Sequence, residues 1–316
     1  MILNPQLVGT LRGIALLVLA SACASPIISP ERSTPEPPTG RTRVVMLGTG
    51  TPNAEPDRSG PALAIVVDDT AYLVDCGPGV VRRANEAAMR GVDALRLHNL
   101  NHVFISHLHS DHTLGLPDLI FTPWVLERQA PLQVFGPVGT LAMTSHLQDA
   151  WGEDKHIRID GLEPANLFGY QTEVSEIEAG LIYEDSLVKV IAFAVPHGSW
   201  KHAFGFRFET PDRVIVVSGD TAPSDELVRM AEGCDVLVHE VYSDVAYQAL
   251  PEVWKSYHAK FHTSTTELAK IASIAKPRLL VLTHQLYWGQ SDAGLVDEIE
   301  ALYDGAVISA KDFDIF

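Results

Sequence analysis

The sequence has few cysteines and no extended basic segment. Three cysteines in 316 residues exclude a disulfide-built scaffold. Cys76 and Cys234 lie at the edges of apolar runs, so we expect buried free thiols, although one disulfide between them stays open. No run of Lys or Arg is longer than the pair Arg82-Arg83, and the formal net charge is −17. Such an acidic chain repels phosphate backbones, so nucleic acid is a poor candidate partner.

A long hydrophobic run is also missing from the N-terminal segment, although residues 1–25 resemble an export signal. The apolar run from Gly13 to Ala20 is too short to span a membrane, and Arg12 is the only charge before position 31. The Ala-Ser-Ala stretch at 20–22 offers a cleavage site. The segment ending at Cys23 also resembles a bacterial lipoprotein box, with Ala20 in place of the usual leucine. We therefore expect an exported protein, periplasmic or anchored to the envelope by a lipid on Cys23.

The segment after the export signal differs from the rest of the chain in composition. Residues 26–40 are rich in Pro, Ser, Thr, Glu and Gly, which cannot pack a core and indicate a tether. Nothing marks a linker inside 41–316, so we expect one domain there. Its predicted strands first come in runs and then alternate with helices, and this pattern repeats in two halves. The pattern predicts an α/β fold of two mixed sheets packed face to face, with helices outside.

A cluster of metal-binding side chains directly follows an apolar strand. His107, His109, Asp111 and His112 lie within six residues, just after the run that ends at Ile105. His107 and His109 alternate along the chain, so in an extended or turning segment they can converge on one metal. Asp111 and His112 are adjacent and point differently, which suits a second metal.

Three further residues follow predicted strands: His197, Asp220 and His284. Strand ends along one edge of a sheet are where a site is assembled. Imidazole and carboxylate groups are the usual ligands of zinc. The predicted ligands are three imidazoles for one site, a mixed trio for the other and a bridging carboxylate: His107, His109 and His197; Asp111, His112 and His284; and Asp220.

These motifs together resemble the metallo-β-lactamase superfamily and, within it, the branch of ribonuclease Z and arylsulfatase. The residues that carry the resemblance are L-G-T-G-T-P at 47–52, D-C-G-P-G at 75–79, H-L-H-S-D-H-x-x-G-L-P-D-L at 107–119 and S-G-D-T at 218–221. The resemblance implies an αββα sandwich and two zinc ions held by the ligands just named, with Asp220 bridging.

A second segment also resembles this branch. His262-Thr263-Ser264-Thr265 is similar to its His-Ser-Thr piece, in which the histidine lies near the substrate and helps the leaving group. The same residues also predict the start of a helix, because Thr263 or Ser264 can cap it and Glu267 stands three residues after Ser264. Both interpretations can hold together.

One departure from the branch concerns the substrate. Bacterial ribonuclease Z enzymes carry a tRNA-gripping arm between the third histidine of the first site and the bridging aspartate. Here His197 and Asp220 are only 23 positions apart, and one predicted hairpin fills the interval. With the acidic balance and the export signal, the missing arm argues against tRNA as the substrate.

The predicted function is therefore an arylsulfatase-like dizinc hydrolase that cleaves sulfate esters or small phosphodiesters with a metal-bound hydroxide. We expect Asp111 to orient the nucleophile, His262 to assist the leaving group and the substrate to be a small anionic ester. A ribonuclease Z-type phosphodiesterase, a lactonase or β-lactamase, and a non-catalytic metal-binding lipoprotein are the alternatives. The oligomeric state is left open, a homodimer included.

The remaining histidines have no strand-end context and are expected to be structural or exposed, except for two near the site edges. The first group is His98, His102, His146, His156 and His258. The two near the edges, which can support the ligands, are His202 and His239.

Overall fold

The computed structural model describes residues 40–316. The predicted export signal, with Cys23, and the predicted tether up to position 39 lie outside the described residues. None of the helices in 40–316 combines the length and apolarity that a membrane crossing needs.

Two sheets form the centre of the described structure. The first has its six strands in sequence order: β1 (Thr42–Gly48), β2 (Ala62–Val67), β3 (Thr70–Val74), β4 (His102–Phe104), β5 (Leu132–Gly136) and β6 (Thr172–Glu176). The second has seven strands, also neighbours in sequence order: β7 (Gly180–Glu184), β8 (Lys189–Ala194), β9 (Phe204–Glu209), β10 (Val214–Val217), β11 (Val236–Tyr242), β12 (Leu279–Leu286) and β13 (Val307–Ser309).

Helices connect the strands of both sheets. Those of the first half are α1 (Val80–Met89), α2 (Ser110–Thr113), α3 (Leu116–Val125), α4 (Thr140–Ala150) and α5 (Gly152–Asp160). Those of the second half are α6 (Asp225–Ala231), α7 (Asp244–Tyr247), α8 (Glu252–Phe261), α9 (Thr265–Ala275) and α10 (Asp292–Glu300).

The side chains of β1 show how the layers are built. Val44 and Met46 join the apolar cluster that contains residues of both sheets, whereas Val45 and Leu47 join the cluster that the first sheet forms with α1 and α3. Alternate residues of a strand point to opposite faces, so a strand that is apolar throughout is covered on both. A third cluster packs the second sheet against α6, α9 and α10. The predicted sandwich of two mixed sheets with outer helices, an α/β fold, is confirmed.

Strand direction brings the predicted ligands to one edge. In the first sheet β3, β4 and β5 run parallel to one another. In the second, β10, β11 and β12 are parallel, and β8 has the same direction because β9 is antiparallel to both β8 and β10. The carboxyl ends of parallel strands lie at the same edge of a sheet, so the segments after β3, β4, β8 and β10 can meet.

The structure differs from the sequence prediction in β12 and in the second half of the chain. β12 does not end before His284 but continues to Leu286, with a break in register opposite Glu240 and Val241. The short helix α7 and the helix α8 were not predicted, because residues 244–261 lack a clear apolar period of 3.6.

Candidate metal centre

Three histidines and one aspartate form the first candidate metal group. His109 Nδ1 lies 2.9 Å from His107 Nε2 and 3.1 Å from His197 Nε2. Asp220 Oδ2 lies 3.9 Å from His107 Nε2. The four ligand atoms lie within 4.8 Å of one another, and the side chains other than His109 are buried.

Asp111, His112 and His284 form the second candidate group beside it. His284 Nε2 lies 3.3 Å from Asp111 Oδ2, and His112 Nε2 lies 3.5 Å from the same oxygen. Asp220 Oδ2 is 3.4 Å from both imidazole nitrogens, so this carboxylate stands between the two groups. The structure thus brings all seven predicted residues together in the predicted grouping, and their role as ligands stays a prediction.

The donor set fits zinc on a specific observation. His112 Nε2 is buried and has no hydrogen-bond partner among the described residues, although the carboxylates of Asp111 and Asp220 lie within 3.5 Å. A buried polar atom without a partner is costly, and two neighbouring carboxylates in a buried site need compensating positive charge. Nitrogen and oxygen ligands separated by roughly the width of one ion satisfy both demands when a cation lies between them.

The ligand rings are held by contacts on their far sides. Asp75, directly after β3, accepts a hydrogen bond from His112 Nδ1–H at 2.8 Å and two more from the backbone N–H and hydroxyl of Ser106. His197 Nδ1–H donates to the carbonyl oxygen of Phe261 at 2.7 Å. In both rings Nε2 is therefore the nitrogen left to face the other ligands, as metal-binding histidines require.

Residues 70–285 match the beta-lactamase superfamily domain, which covers most of the chain. The chain belongs to the beta-lactamase superfamily. It is 35% identical over 248 residues to ribonuclease Z of Mycobacterium bovis (strain BCG / Pasteur 1173P2), covering 76% of this chain and 85% of the relative. This membership confirms the predicted enzyme class, a zinc-dependent hydrolase acting on ester bonds.

Solved structures show the same fold. The metallo-beta-lactamase fold protein YhfI from Bacillus subtilis aligns with a TM-score of 0.68 at 18% identity, covering 87% of this chain and 99% of the other. The short form of human tRNase Z aligns with a TM-score of 0.63 at 24% identity, covering 87% and 98%. At these identities the two alignments support the superfamily fold alone.

The pKa values of the carboxylate and an imidazole in this site are shifted in opposite directions. Burial opposes ionisation of Asp220, but the imidazoles of His284 and His112 outweigh it and hold the pKa of this carboxyl well below its ordinary range. Burial likewise opposes protonation of His112, but Asp220 and Asp75 carry the pKa of its imidazole well above the ordinary value. In the protein without metal, this shift favours a proton on His112, whose charge would offset part of the negative charge that a cation would balance.

His262, predicted to act on the leaving group, lies at the edge of this centre. Its ring stacks on that of His284 at a centroid distance of 5.6 Å, and its Nδ1 lies 3.3 Å from Glu240 Oε2. Burial lowers the pKa of His262 to about 4, whereas burial together with Asp220 raises the pKa of Glu240 well above its ordinary value. These opposite shifts favour a proton on Glu240 over one on His262. The predicted helix start is confirmed, because Ser264 and Glu267 form a capping box at the start of α9, and the catalytic role of His262 stays a prediction.

The metal centre opens into a cavity of about 530 Å³. One side carries ligands and their neighbours: His109, Ser110, Asp111, Asp220, His262 and His284. The other side is mostly apolar and aromatic: Pro52, Asn53, Leu250, Trp254, Tyr257, His258, Leu286 and Trp288. Among these lining residues none is Lys or Arg, so phosphate or sulfate would find no side-chain ammonium or guanidinium there.

Sequence reasoning missed several contacts around the candidate metal centre. His258, which was expected to be structural or exposed, is buried and lines the cavity. Asp75 was noted only as part of a motif, although it follows a strand end as the ligands do and this signal was available. Glu240 and the Phe261 carbonyl had no such signal, because their contacts join segments far apart in sequence.

Arg58 and the two remaining cysteines lie in largely buried surroundings. The side chain of Arg58 is only 12% exposed and pairs with Asp292 at 3.0 Å. Cys76 and Cys234 are buried free thiols, as expected.

Proposed function

We propose that this chain is a dizinc phosphodiesterase of the ribonuclease Z type. The observation that carries the proposal is the pair of adjoining ligand groups with Asp220 between them, in a chain 35% identical to a ribonuclease Z. His107, His109 and His197 would hold the first ion, and Asp111, His112 and His284 would hold the second, with the Asp220 carboxylate between the two groups.

The comparisons favour a phosphate ester over a sulfate ester. The predicted main function was arylsulfatase-like, with a ribonuclease Z-type phosphodiesterase as its alternative. The relative from Mycobacterium bovis is named ribonuclease Z, and that name supports the alternative. Hydrolysis of a sulfate ester is therefore tested beside that of a phosphodiester.

Two observations favour a small diester over a long RNA. Between His197 and Asp220 the chain builds only the hairpin of β9 and β10, whose strands belong to the second sheet. The cavity beside the metal centre has no Lys or Arg in its lining, so the successive phosphates of a nucleic acid would meet no cations there. Precursor tRNA is nevertheless the second candidate, because the relatives are named for ribonuclease activity.

When bound, two zinc ions supply a nucleophile at neutral pH and polarise the phosphoryl centre. The protein's own residues set the geometry of this chemistry. Asp75 and the Phe261 carbonyl hold the rings of His112 and His197, and Asp111 lines the cavity, where its carboxylate would orient the attacking group.

Glu240 and His262 supply the proton for the leaving group. Glu240 Oε2 lies 3.3 Å from His262 Nδ1, neither atom has a hydrogen-bond partner among the described residues, and the His262 ring lines the cavity. Passage of this proton to Nδ1 lets the opposite nitrogen of the same ring donate to the departing oxygen. Such general acid help contributes ~10²–10⁴-fold in rate, most for a poor leaving group.

The test is a substrate panel on the full zinc-loaded protein: bis(p-nitrophenyl) phosphate, p-nitrophenyl sulfate, a simple lactone and a precursor tRNA. We expect turnover of the phosphodiester to exceed that of the sulfate ester and the lactone, and to be lost in Asp220→Asn. Cleavage of the sulfate ester with an inert phosphodiester would overturn the proposal. Cleavage of precursor tRNA at a higher kcat/KM than the small diester would establish the second candidate instead.

A further inference from the structure

The aromatic side of the cavity has no role in holding metal or moving a proton. Trp254 and His258 come from α8, and Trp288 follows β12, so two separate segments meet in this wall. The His258 and Trp288 rings lie 4.5 Å apart between centroids at an angle of 60°. The centroid of the Trp254 ring lies 6.0 Å from that of the His258 ring.

The wall directly adjoins the reacting centre. The His258 ring lies 5.6 Å from that of His262, which in turn lies 5.6 Å from that of the predicted ligand His284. At these centroid distances the three rings are direct neighbours. A group that reaches the wall from a phosphate held at the metal centre is therefore attached to that phosphate directly or through a short link.

Two features show that the wall is built to meet a ligand. Trp254 is 52% exposed although it is a large aromatic side chain, and it lines the cavity. His258 is 9% exposed, and its Nδ1 has no hydrogen-bond partner among the described residues. An exposed tryptophan beside an unpartnered buried nitrogen leaves an apolar face and one polar contact to be satisfied.

The backbone at Trp288 supports the same conclusion. Trp288 has φ of +45°, a left-handed conformation that is unfavourable for a bulky residue. Its ring packs 5.6 Å from that of Tyr242, and Gly289 follows with φ of +95°. Strain of this kind persists where the surrounding structure fixes a side chain in place, and functional sites are where it collects.

We propose that Trp254, His258 and Trp288 form a subsite for a planar aromatic group on the ester that the phosphodiester retains when its leaving group departs. The inference rests on the proposed function, since it names the substrate class of that same site. The aromatic group can be a nucleobase or a simple aryl ester, and both present the same flat apolar face. Stacking of one ring on an aromatic side chain corresponds to roughly 5- to 150-fold in affinity.

The experiment compares diesters that share one leaving group, p-nitrophenolate, and differ in the other ester: phenyl, methyl or thymidine-5′-yl. For the zinc-loaded protein we expect a lower KM for the phenyl or thymidine ester than for the methyl ester. Stacking acts on ground state and transition state alike, so the preference belongs mainly to KM rather than to kcat. The ester with the larger preference identifies the source of the aromatic group.

Variants separate a subsite from a structural role. Trp254→Ala should lower the aromatic-to-methyl ratio of kcat/KM by roughly 5-fold or more, and Trp254→Phe should restore most of it. Trp288→Phe, which keeps a ring against Tyr242, should lower the ratio less than Trp254→Ala. Trp151→Ala is the matched control, because Trp151 is also a partly exposed tryptophan (39%) and lies outside this cavity.

A binding measurement keeps the two hypotheses distinguishable. Calorimetric titration of the zinc-loaded protein with diphenyl phosphate and with dimethyl phosphate reports the subsite without turnover. Tighter binding of diphenyl phosphate that Trp254→Ala abolishes supports the subsite even if no diester is cleaved, in which case only the proposed function fails. Turnover without any aromatic preference, or a ratio that Trp254→Ala leaves unchanged, would overturn the subsite alone.

Discussion

Asp75 fixes which nitrogen of His112 faces the metal centre. Its carboxylate accepts three hydrogen bonds, one from His112 Nδ1–H and two from Ser106. Asp75 has φ of +58°, a conformation in which Asn is also tolerated, so the isosteric amide keeps the backbone. The amide cannot accept at both ends, and therefore one donor is left without an acceptor.

We expect Asp75→Asn to weaken zinc binding or lower kcat/KM by about 10–100-fold, as for other groups that orient a metal-binding imidazole. Zinc affinity is read by competition with a chelating dye, and the fold by circular dichroism. Asp68→Asn is the control, since Asp68 lies at the turn between β2 and β3 with φ of +50° and pairs with Arg41. Equal zinc affinity in both variants and the parent would contradict this role of Asp75.

His239 gives a pH prediction that is separate from the ligands. Its side chain is fully buried in β11, and burial lowers its pKa to about 4. The ordinary value is ~6.5, so between these pH values the unfolded chain binds the proton that the folded chain rejects. The contribution to stability is therefore complete above pH ~6.5 and is lost as the pH falls toward 4.

We expect wild-type protein in chelator to lose about 2 kcal/mol more unfolding free energy than His239→Asn between pH 7.5 and pH 5. Asn can replace the Nδ1–H that donates to the Glu240 carbonyl, and it does not titrate. Urea unfolding at the two pH values measures the difference, in which the shared histidines cancel. The same pH dependence in both proteins would exclude His239 as its source.

At the scale of secondary structure, the end of β12 decides the second candidate group. The pairing of β12 with β11 loses register between Glu240 and Val241, so His284 has no partner residue across the ladder. His284 has φ of +45°, and a bulge of this kind turns a side chain away from its regular direction. Without the bulge, the regular alternation of side chains along a strand would fix the direction of His284. With the bulge, the His284 ring lies close to Asp111 and Asp220.

Helix α9 begins directly after the segment that carries His262. Ser264 accepts from the backbone N–H of Glu267, and Glu267 accepts from that of Ser264, so two N–H groups at the helix start are satisfied. We expect Ser264→Ala to lower the unfolding free energy by about 1 kcal/mol, measured by urea unfolding. Ser256→Ala, at an exposed position inside α8, should change it by less than about 0.5 kcal/mol. A smaller loss at Ser264 than at Ser256 would refute the cap.

For the whole molecule, the candidate metal centre lies between the two sheets. Residues 107–112 follow a strand of the first sheet, whereas His197, Asp220 and His284 belong to strands or strand ends of the second. A metal held by both sets connects the two halves of the sandwich. Because the folded state alone assembles the site, metal binding adds directly to folding stability.

We expect removal of zinc by a chelator to abolish turnover and to lower the unfolding free energy by about 4 kcal/mol for each ion bound, compared with free zinc at a thousandfold excess over its Kd. Differential scanning calorimetry with and without added zinc measures the change. In Asp220→Asn the zinc-dependent increase should be smaller, since the residue between the two groups is altered. A melting temperature that does not respond to zinc would rule out binding across the sheets.

The sequence by itself determined the two-sheet sandwich and the seven candidate ligands. Apolar strands covered on both faces require two layers of packing, and the spacing of His107, His109, Asp111 and His112 is local information. The tertiary structure decided what depends on distant segments meeting. It paired Glu240 with His262, set Asp75 behind His112 and joined α8 to the end of β12 in one aromatic wall. Those contacts arise from strand direction, one bulge and a helix without a clear period, none of which a linear pattern of residue types specifies.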